Sequence, residues 1–147
     1  MSMIEQIESD LREARLARDD ERRDALSLIL NALQQARKEL QRPLSDEEEL
    51  QVLQRERKRR VEAAEAFREG GREERAEAEE RELVVLEDYM PEQLSEEEIE
   101  EIIDDVISEV GATSIRDMGR VMAGVMHQVS GRADGSTVNQ LVKEKLA

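Results

Sequence analysis

The spacing of apolar residues constrains the fold of this chain more than any other feature. Apolar side chains recur every three or four residues along most of the chain, and the alternation typical of β-strands occurs nowhere convincingly. The 147 residues include only two prolines and seven glycines, so few positions break a helix. This pattern predicts an all-α protein of one or two small domains.

Capping signals divide the helical pattern into segments. Ser45 with Glu48, and Ser95 with Glu98, are capping boxes, in which the serine hydroxyl and the glutamate carboxylate satisfy backbone N–H groups at a helix start. Pro91 lies just before the second box and cannot continue a helix. We therefore predict two domains that meet near this proline.

The predicted N-terminal domain, residues 1–90, consists of antiparallel helices. Gly70 and Gly71 should end or bend its third helix. The polar stretch "REGGREERAEAEERE" that contains them has little to bury, so we expect a largely solvated helix or hinge there. The predicted core-facing residues are Ile4, Ile7, Leu11, Ala14, Leu26, Ile29, Leu30, Leu33, Leu40, Leu50, Leu53, Val61, Phe67, Ala76, Leu83 and Leu86.

The predicted C-terminal domain, residues 91–147, is a small unit of three helices. After the helix that starts at Ser95, Gly111 should be the closing residue. Ser114 should then open the second helix and Asp134 should cap the third. The predicted core-facing residues are Ile99, Ile102, Ile103, Val106, Ile107, Val110, Ile115, Met118, Met122, Val125, Val129, Val138, Leu141, Val142 and Leu146.

Charge is distributed unevenly along the chain. The net charge of −15 argues against a nucleic-acid partner, because phosphates would be repelled. Residues 1–110 carry 17 basic and 34 acidic side chains, whereas residues 111–147 carry five basic and three acidic ones. The C-terminal segment is therefore the only part that could approach an anion without a large electrostatic penalty.

Candidate catalytic and metal-binding groups are few. Without cysteine there is no thiolate nucleophile, and the one histidine, His127, has no serine or carboxylate at a readable spacing. The acidic clusters "SDEEE" and "SEEEIEE" fall at predicted helix starts, where they favour the helix dipole, and they match no calcium loop. We predict no catalytic residues, no metal site and no cofactor.

The motif "GRADG", residues 131–135, has a functional and a structural interpretation. Its glycines would let the backbone approach a ligand, Arg132 offers a planar guanidinium, and the following helix start could face a phosphate. In the structural interpretation the glycines permit left-handed geometry and Asp134 caps the helix. The candidate RNA-binding residues of this region are Arg116, Arg120, Gly131, Arg132, Gly135, Lys143 and Lys145.

Only two aromatic residues, Phe67 and Tyr89, are present. Single-stranded RNA is usually held by stacking of its bases on aromatic rings. An RNA ligand would therefore have to be a folded one, contacted through its shape and backbone.

Two further motifs also leave alternatives open. The run "RERKRR", Arg55–Arg60, could contact phosphate, but the i,i+4 pair Glu56–Arg60 favours a solvated, salt-bridged helix face. The stripe of Met118, Met122 and Met126 could form an adaptable groove for a partner. Packing in the core is the favoured interpretation of that stripe.

The stretches "LEDYMPEQLSEEEIEEIIDDVISEVGATSIRDMGRVM" and "GRADGSTVNQLVKEKLA" resemble the GatB/YqeY family, as does "DLREARLARDDERRDALSLILNALQQARKEL". The resemblance runs from about Met3 to Leu146 and implies an all-α fold. It also implies kinship with the tail of the GatB subunit of the glutamine-dependent tRNA amidotransferase, which helps hold misacylated tRNA. Related sequences tend to have proline at the position of His127.

The resemblance and the charge pattern lead to three functional hypotheses. The first is a non-catalytic module that binds tRNA or associates with the tRNA amidation machinery. The second is a protein–protein adaptor without nucleic-acid contact. The third, a carbon–nitrogen ligase with glutamine as amido donor, rests on a family label inherited from the larger enzyme. The lack of a signal-peptide pattern or long apolar run predicts a cytoplasmic protein without membrane contact.

Overall fold

The computed structural model describes all residues, Met1–Ala147, and is entirely helical, which confirms the predicted fold class. None of its helices combines the length and apolarity that crossing a bilayer requires. A single 3-10 turn, Ile115–Asp117, accompanies the seven α-helices. The α-helices are α1 Met3–Leu16, α2 Asp20–Leu40, α3 Asp46–Glu69, α4 Glu73–Glu87, α5 Glu96–Val110, α6 Met118–Val129 and α7 Gly135–Leu146.

Contacts divide the chain into two compact units, Met1–Pro91 and Glu92–Ala147, hereafter the N-terminal and C-terminal units. Each has its own cluster of buried apolar side chains. The division lies one residue from the predicted domain boundary. Independent folding of the two halves stays a prediction.

The core of the N-terminal unit comes mainly from α1 and α2, whose buried residues follow the 3.6-residue period. Ile7, Leu26 and Leu33 are fully buried, as predicted. Leu40 was wrongly assigned to the core, since 44% of its surface is exposed. It is the last residue of α2 and lies past Ala36, the last α2 side chain that packs against the cluster.

The polar stretch around Gly70 forms a helical hairpin and is largely exposed, as predicted. α3 ends at Gly70, Gly71 takes a left-handed φ of 73°, and α4 then packs along α3. Arg68 spans the turn with a bond to Glu73 at 2.9 Å. Ala76 is fully buried, because its small side chain lets the two helices approach closely.

The C-terminal unit packs α5, α6 and α7 around one apolar cluster. The predicted stripe of the second helix was partly wrong: Ile115 is 46% exposed, and Val121, which the stripe omitted, is fully buried together with the predicted Val125 and Val129. The 3-10 turn explains the difference, because its three residues per turn change the phase of the face before α6 begins. Met118, Met122 and Met126 are half-buried against this core, which agrees with the packing interpretation.

Candidate nucleic-acid interface

The "GRADG" loop joins α6 to α7 and contains one glycine that its geometry demands. Gly131 has a left-handed φ of 74°, which a residue with a Cβ rarely adopts. Gly135 does not share this conformation and is instead the first residue of α7. A Cβ there would meet Met126 Cε at an ordinary 3.7 Å, so the expected conformational need for Gly135 was wrong.

Backbone contacts fix this loop against the segment that precedes α5. The N–H of Leu94 donates to the Arg132 carbonyl at 2.8 Å, and the Gln93 amide donates to the Gly131 carbonyl at 2.9 Å. The guanidinium of Arg132 donates to the Glu92 carbonyl at 3.3 Å. Arg132, one of the candidate RNA-binding residues, thus has a structural role within the C-terminal unit.

Asp134 occupies the start of α7 as an N-cap. Its carboxylate accepts bonds from the Thr137 N–H at 3.2 Å, the Thr137 hydroxyl at 3.2 Å and the Ser136 hydroxyl at 2.5 Å. A phosphate approaching this helix end would meet a negative charge already seated there. The geometry therefore favours the structural interpretation of the loop.

Two of the other candidate cations are also held by neighbours. Arg120 donates to Asp117 at 2.6 Å and to the Val110 carbonyl at 3.2 Å. Lys145 lies 2.9 Å from a carboxylate oxygen of Asp104, and this hydrogen bond raises the pKa of the lysine. Neither side chain is available to a phosphate without loss of its present partner.

The structure leaves Arg116 and Lys143 as the candidates that are exposed and form no ion pair. Arg116 lies in the 3-10 turn and Lys143 near the end of α7, and these two elements contact each other. The fold therefore brings to neighbouring elements two cations that are 27 positions apart in sequence. Sequence spacing alone gave no reason to pair them.

The C-terminal unit as a whole is acidic, whereas residues 111–147 taken alone are slightly basic. The C-terminal unit carries five basic and twelve acidic side chains, a net charge of −7, and eight of the acids lie on α5. Because α5 packs against α6 and α7, its carboxylates offset the positive balance of residues 111–147. The positive balance of residues 111–147 therefore supports RNA binding less strongly once the carboxylates of α5 are included.

Within the basic run of α3, Arg60 is buried, whereas Arg55 and Arg59 are exposed. The predicted Glu56–Arg60 pair is present at 2.8 Å, but Arg60 is only 5% exposed, so the expectation of a solvated face was wrong for it. Glu82 of α4 lies 3.5 Å from the Arg60 Nε. Burial raises the pKa of Glu82, and the Arg60 charge opposes that shift.

His127 is exposed at the end of α6 and makes no hydrogen bond or ion pair. No cluster of three His, Cys, Asp or Glu side chains that could hold a metal ion is present in the structure. Neither His127 nor a metal cluster therefore adds a catalytic group to the candidate residues.

A comparison of the sequence with known protein families finds a match over nearly the whole chain. The family model described as "Yqey-like protein" matches residues 4–146 and so covers nearly all of both units. No curated protein matches the chain.

Proposed function

Because the chain belongs to the YqeY-like protein family, we propose that it is a non-catalytic helical module that binds tRNA or the tRNA amidation machinery, as the GatB tail does. The family match over residues 4–146 carries this proposal, together with the helical architecture. The two compact units would be its separately folding domains, and their separate cores support that division.

Within the C-terminal unit, Arg116 and Lys143 are the side chains that would contact the RNA. Both are exposed, and neither has an ion-pair partner to give up. Both aromatic residues of the chain lie outside this unit, so the contact would be made to the sugar–phosphate backbone and not by base stacking. Such binding is weak and falls steeply with salt, because each neutralised phosphate releases counterions.

The test is a titration of a labelled tRNA transcript with the full chain at low and at moderate salt. The double variant Arg116→Gln, Lys143→Gln should bind several-fold more weakly than the wild type. Its matched control is Arg120→Gln, Lys145→Gln, which makes the same change in net charge but removes cations already paired with carboxylates. Equal loss in both variants, or no loss in the first, would contradict the assignment of Arg116 and Lys143.

The non-catalytic part of the proposal has its own test. Purified protein incubated with misacylated Glu-tRNA, glutamine and ATP should form no Gln-tRNA above background. Turnover that a single substitution abolishes would show that the chain is an enzyme.

A second candidate function, that of a protein adaptor, is supported by one feature of α6 and its 3-10 turn. Ile115 in the 3-10 turn is 46% exposed, and Met118 and Met122 of α6 are half-buried. Capture of partners from a cell lysate with and without nuclease separates the two functions. A partner that survives nuclease treatment and is lost on Ile115→Asp substitution would favour the adaptor.

A further inference from the structure

The facing parts of α2 and α3 in the N-terminal unit differ in charge from the rest of this acidic chain. Residues 25–38 contain no acidic side chain, and residues 50–61 contain only Glu56. These segments border a groove lined by Ala32, Gln35, Ala36, Val52, Arg55 and Arg59, together with Glu39 and Glu56. The lining of the groove is thus charge-balanced, with two arginines and two glutamates, on a unit with 17 basic and 25 acidic residues.

Ion pairing directs the basic residues of α3 to different places. Arg60 points into the unit toward Glu56 and Glu82, and Arg57 bonds to Glu87 of α4 at 3.2 Å. Arg55 and Arg59, one helical turn apart, remain on the groove. Their Cα atoms lie about 6 Å apart along the helix axis, at 1.5 Å per residue.

The two groove arginines are weakly engaged. Arg55 is exposed and forms no ion pair. Arg59 is 76% exposed and lies 3.6 Å from Glu56, a loose contact, because that carboxylate is already bound by Arg60 at 2.8 Å. An exposed pair of this kind contributes little, so an external anion can replace Glu56 as the partner of Arg59.

Two further cations lie near the C-terminal end of α2. Arg37 and Lys38 are exposed, form no ion pair and line an adjoining depression that also includes Arg42. The acidic group nearest in sequence, Glu39, accepts a bond from the Gln35 amide at 3.2 Å. Two cations, Arg55 and Arg59, therefore line the groove itself, two more lie on the adjoining surface of α2, and the two carboxylates of the groove already have hydrogen-bond partners.

We propose that the α2–α3 groove is a binding surface for the phosphate backbone of a folded RNA, with Arg55 and Arg59 as its principal contacts. The guanidinium groups match phosphate in a bidentate geometry, and Gln35 adds an amide that can bond to sugar hydroxyls. The small side chains of Ala32 and Ala36 leave the groove floor free of protruding groups. No aromatic ring lines it, so bases are not read there.

This surface is separate from Arg116 and Lys143, and its existence does not depend on theirs. The test uses the full chain and a labelled tRNA transcript at several salt concentrations. The variant Arg55→Gln, Arg59→Gln should bind about tenfold more weakly at low salt, and the slope of log affinity against log salt should fall by about 2, one for each phosphate contact. The matched control is Arg12→Gln, Arg15→Gln, two exposed arginines of α1 without ion pairs.

Each outcome separates this proposal from the C-terminal contact. Loss of affinity and of salt slope in the groove variant alone supports the groove and contradicts Arg116 and Lys143. Loss only in the Arg116→Gln, Lys143→Gln variant overturns the groove and leaves the proposed function standing. Equal loss in the groove and α1 variants overturns the groove as a site, since bulk charge then explains it. Absence of RNA binding by the wild type at low salt overturns both contacts in favour of an acidic protein partner.

Discussion

Gly124 of α6 lies directly against Val106 of α5, so that a Cβ placed on Gly124 would stand 2.8 Å from the Val106 Cγ1. Val106 is 1% exposed, and a β-branched side chain in a helix strongly prefers one χ1 rotamer. The close approach of α5 and α6 therefore depends on the missing side chain at this position. Gly119, in the first turn of the same helix, has nothing within 4 Å of the corresponding point.

These two glycines should respond in opposite directions to alanine. Gly119→Ala should raise the free energy of unfolding by about 0.5 kcal/mol, because alanine has the higher helix propensity. Gly124→Ala gains the same propensity but overpacks the core, which costs about 1–3 kcal/mol, so the net change should be destabilising. Urea denaturation of both variants measures the difference. A stabilised Gly124→Ala protein would contradict the contact with Val106.

Replacement of Arg60 by methionine should lower the free energy of unfolding by about 2–3 kcal/mol. The substitution leaves Glu56 and Glu82, with side chains 14% and 29% exposed, without their shared cation. The matched control is Arg59→Met on the exposed side of the same helix, for which we expect a change of at most about 1 kcal/mol. Adding Glu56→Leu to Arg60→Met should recover part of the loss. Equal stabilities of the two single variants would mean that Arg60 is not buried.

Asp117 should make stability depend on acidity below pH 4. Hydrogen bonds from the Thr113 N–H and Arg120 lower the pKa of Asp117 from its ordinary 3.8 to about 2. Because the folded-state pKa lies below the unfolded value, the carboxylate stabilises the fold above the ordinary pKa, and this is lost as the pH falls toward 2. Asp117→Asn should therefore be less stable than the wild type at pH 7, and most of this difference should be lost by pH 2.

The control for Asp117 is Asp105→Asn, an exposed residue of α5 without a hydrogen bond. Its stability difference from the wild type should show no comparable narrowing between pH 4 and pH 2. If the difference in the free energy of unfolding between Asp117→Asn and the wild type did not change with pH, Asp117 would not be the source of the pH dependence. Denaturation curves at several pH values supply both comparisons.

Tyr89 should ionise only at a pH well above its ordinary value of 10. Burial raises the pKa of Tyr89, and the hydrogen bond from its hydroxyl to the Asp10 carboxylate raises it further. Since this is the only tyrosine and there is no tryptophan, ultraviolet absorbance follows its titration directly. Asp10→Asn should lower the pKa, whereas the control Glu13→Gln, on an exposed face of α1, should not.

Local chemistry explains what the sequence predicted well. Ser45, Ser95 and Asp134 cap the helices that they were expected to cap, because each bond joins residues three positions apart. The apolar faces of α1 and α7 follow equally from the helical period. The family resemblance was confirmed over residues 4–146.

The candidate site was harder to predict, because its chemistry depends on distant partners. Asp104 lies 41 positions from Lys145, and Glu92 lies 40 positions from Arg132. No spacing rule reveals that such cations are already engaged. For the same reason the burial of Arg60 was missed, since Glu82 belongs to the next helix.

The contacts between consecutive helices have a kinetic consequence. In the N-terminal unit α1 packs on α2 and α3 on α4, and in the C-terminal unit α5 packs on α6 and α6 on α7. Chains whose contacts join neighbouring elements close only short loops, and comparable helical domains fold in about microseconds to milliseconds. Every residue of the N-terminal core lies before position 91, so this core can close during synthesis before the C-terminal unit has left the ribosome.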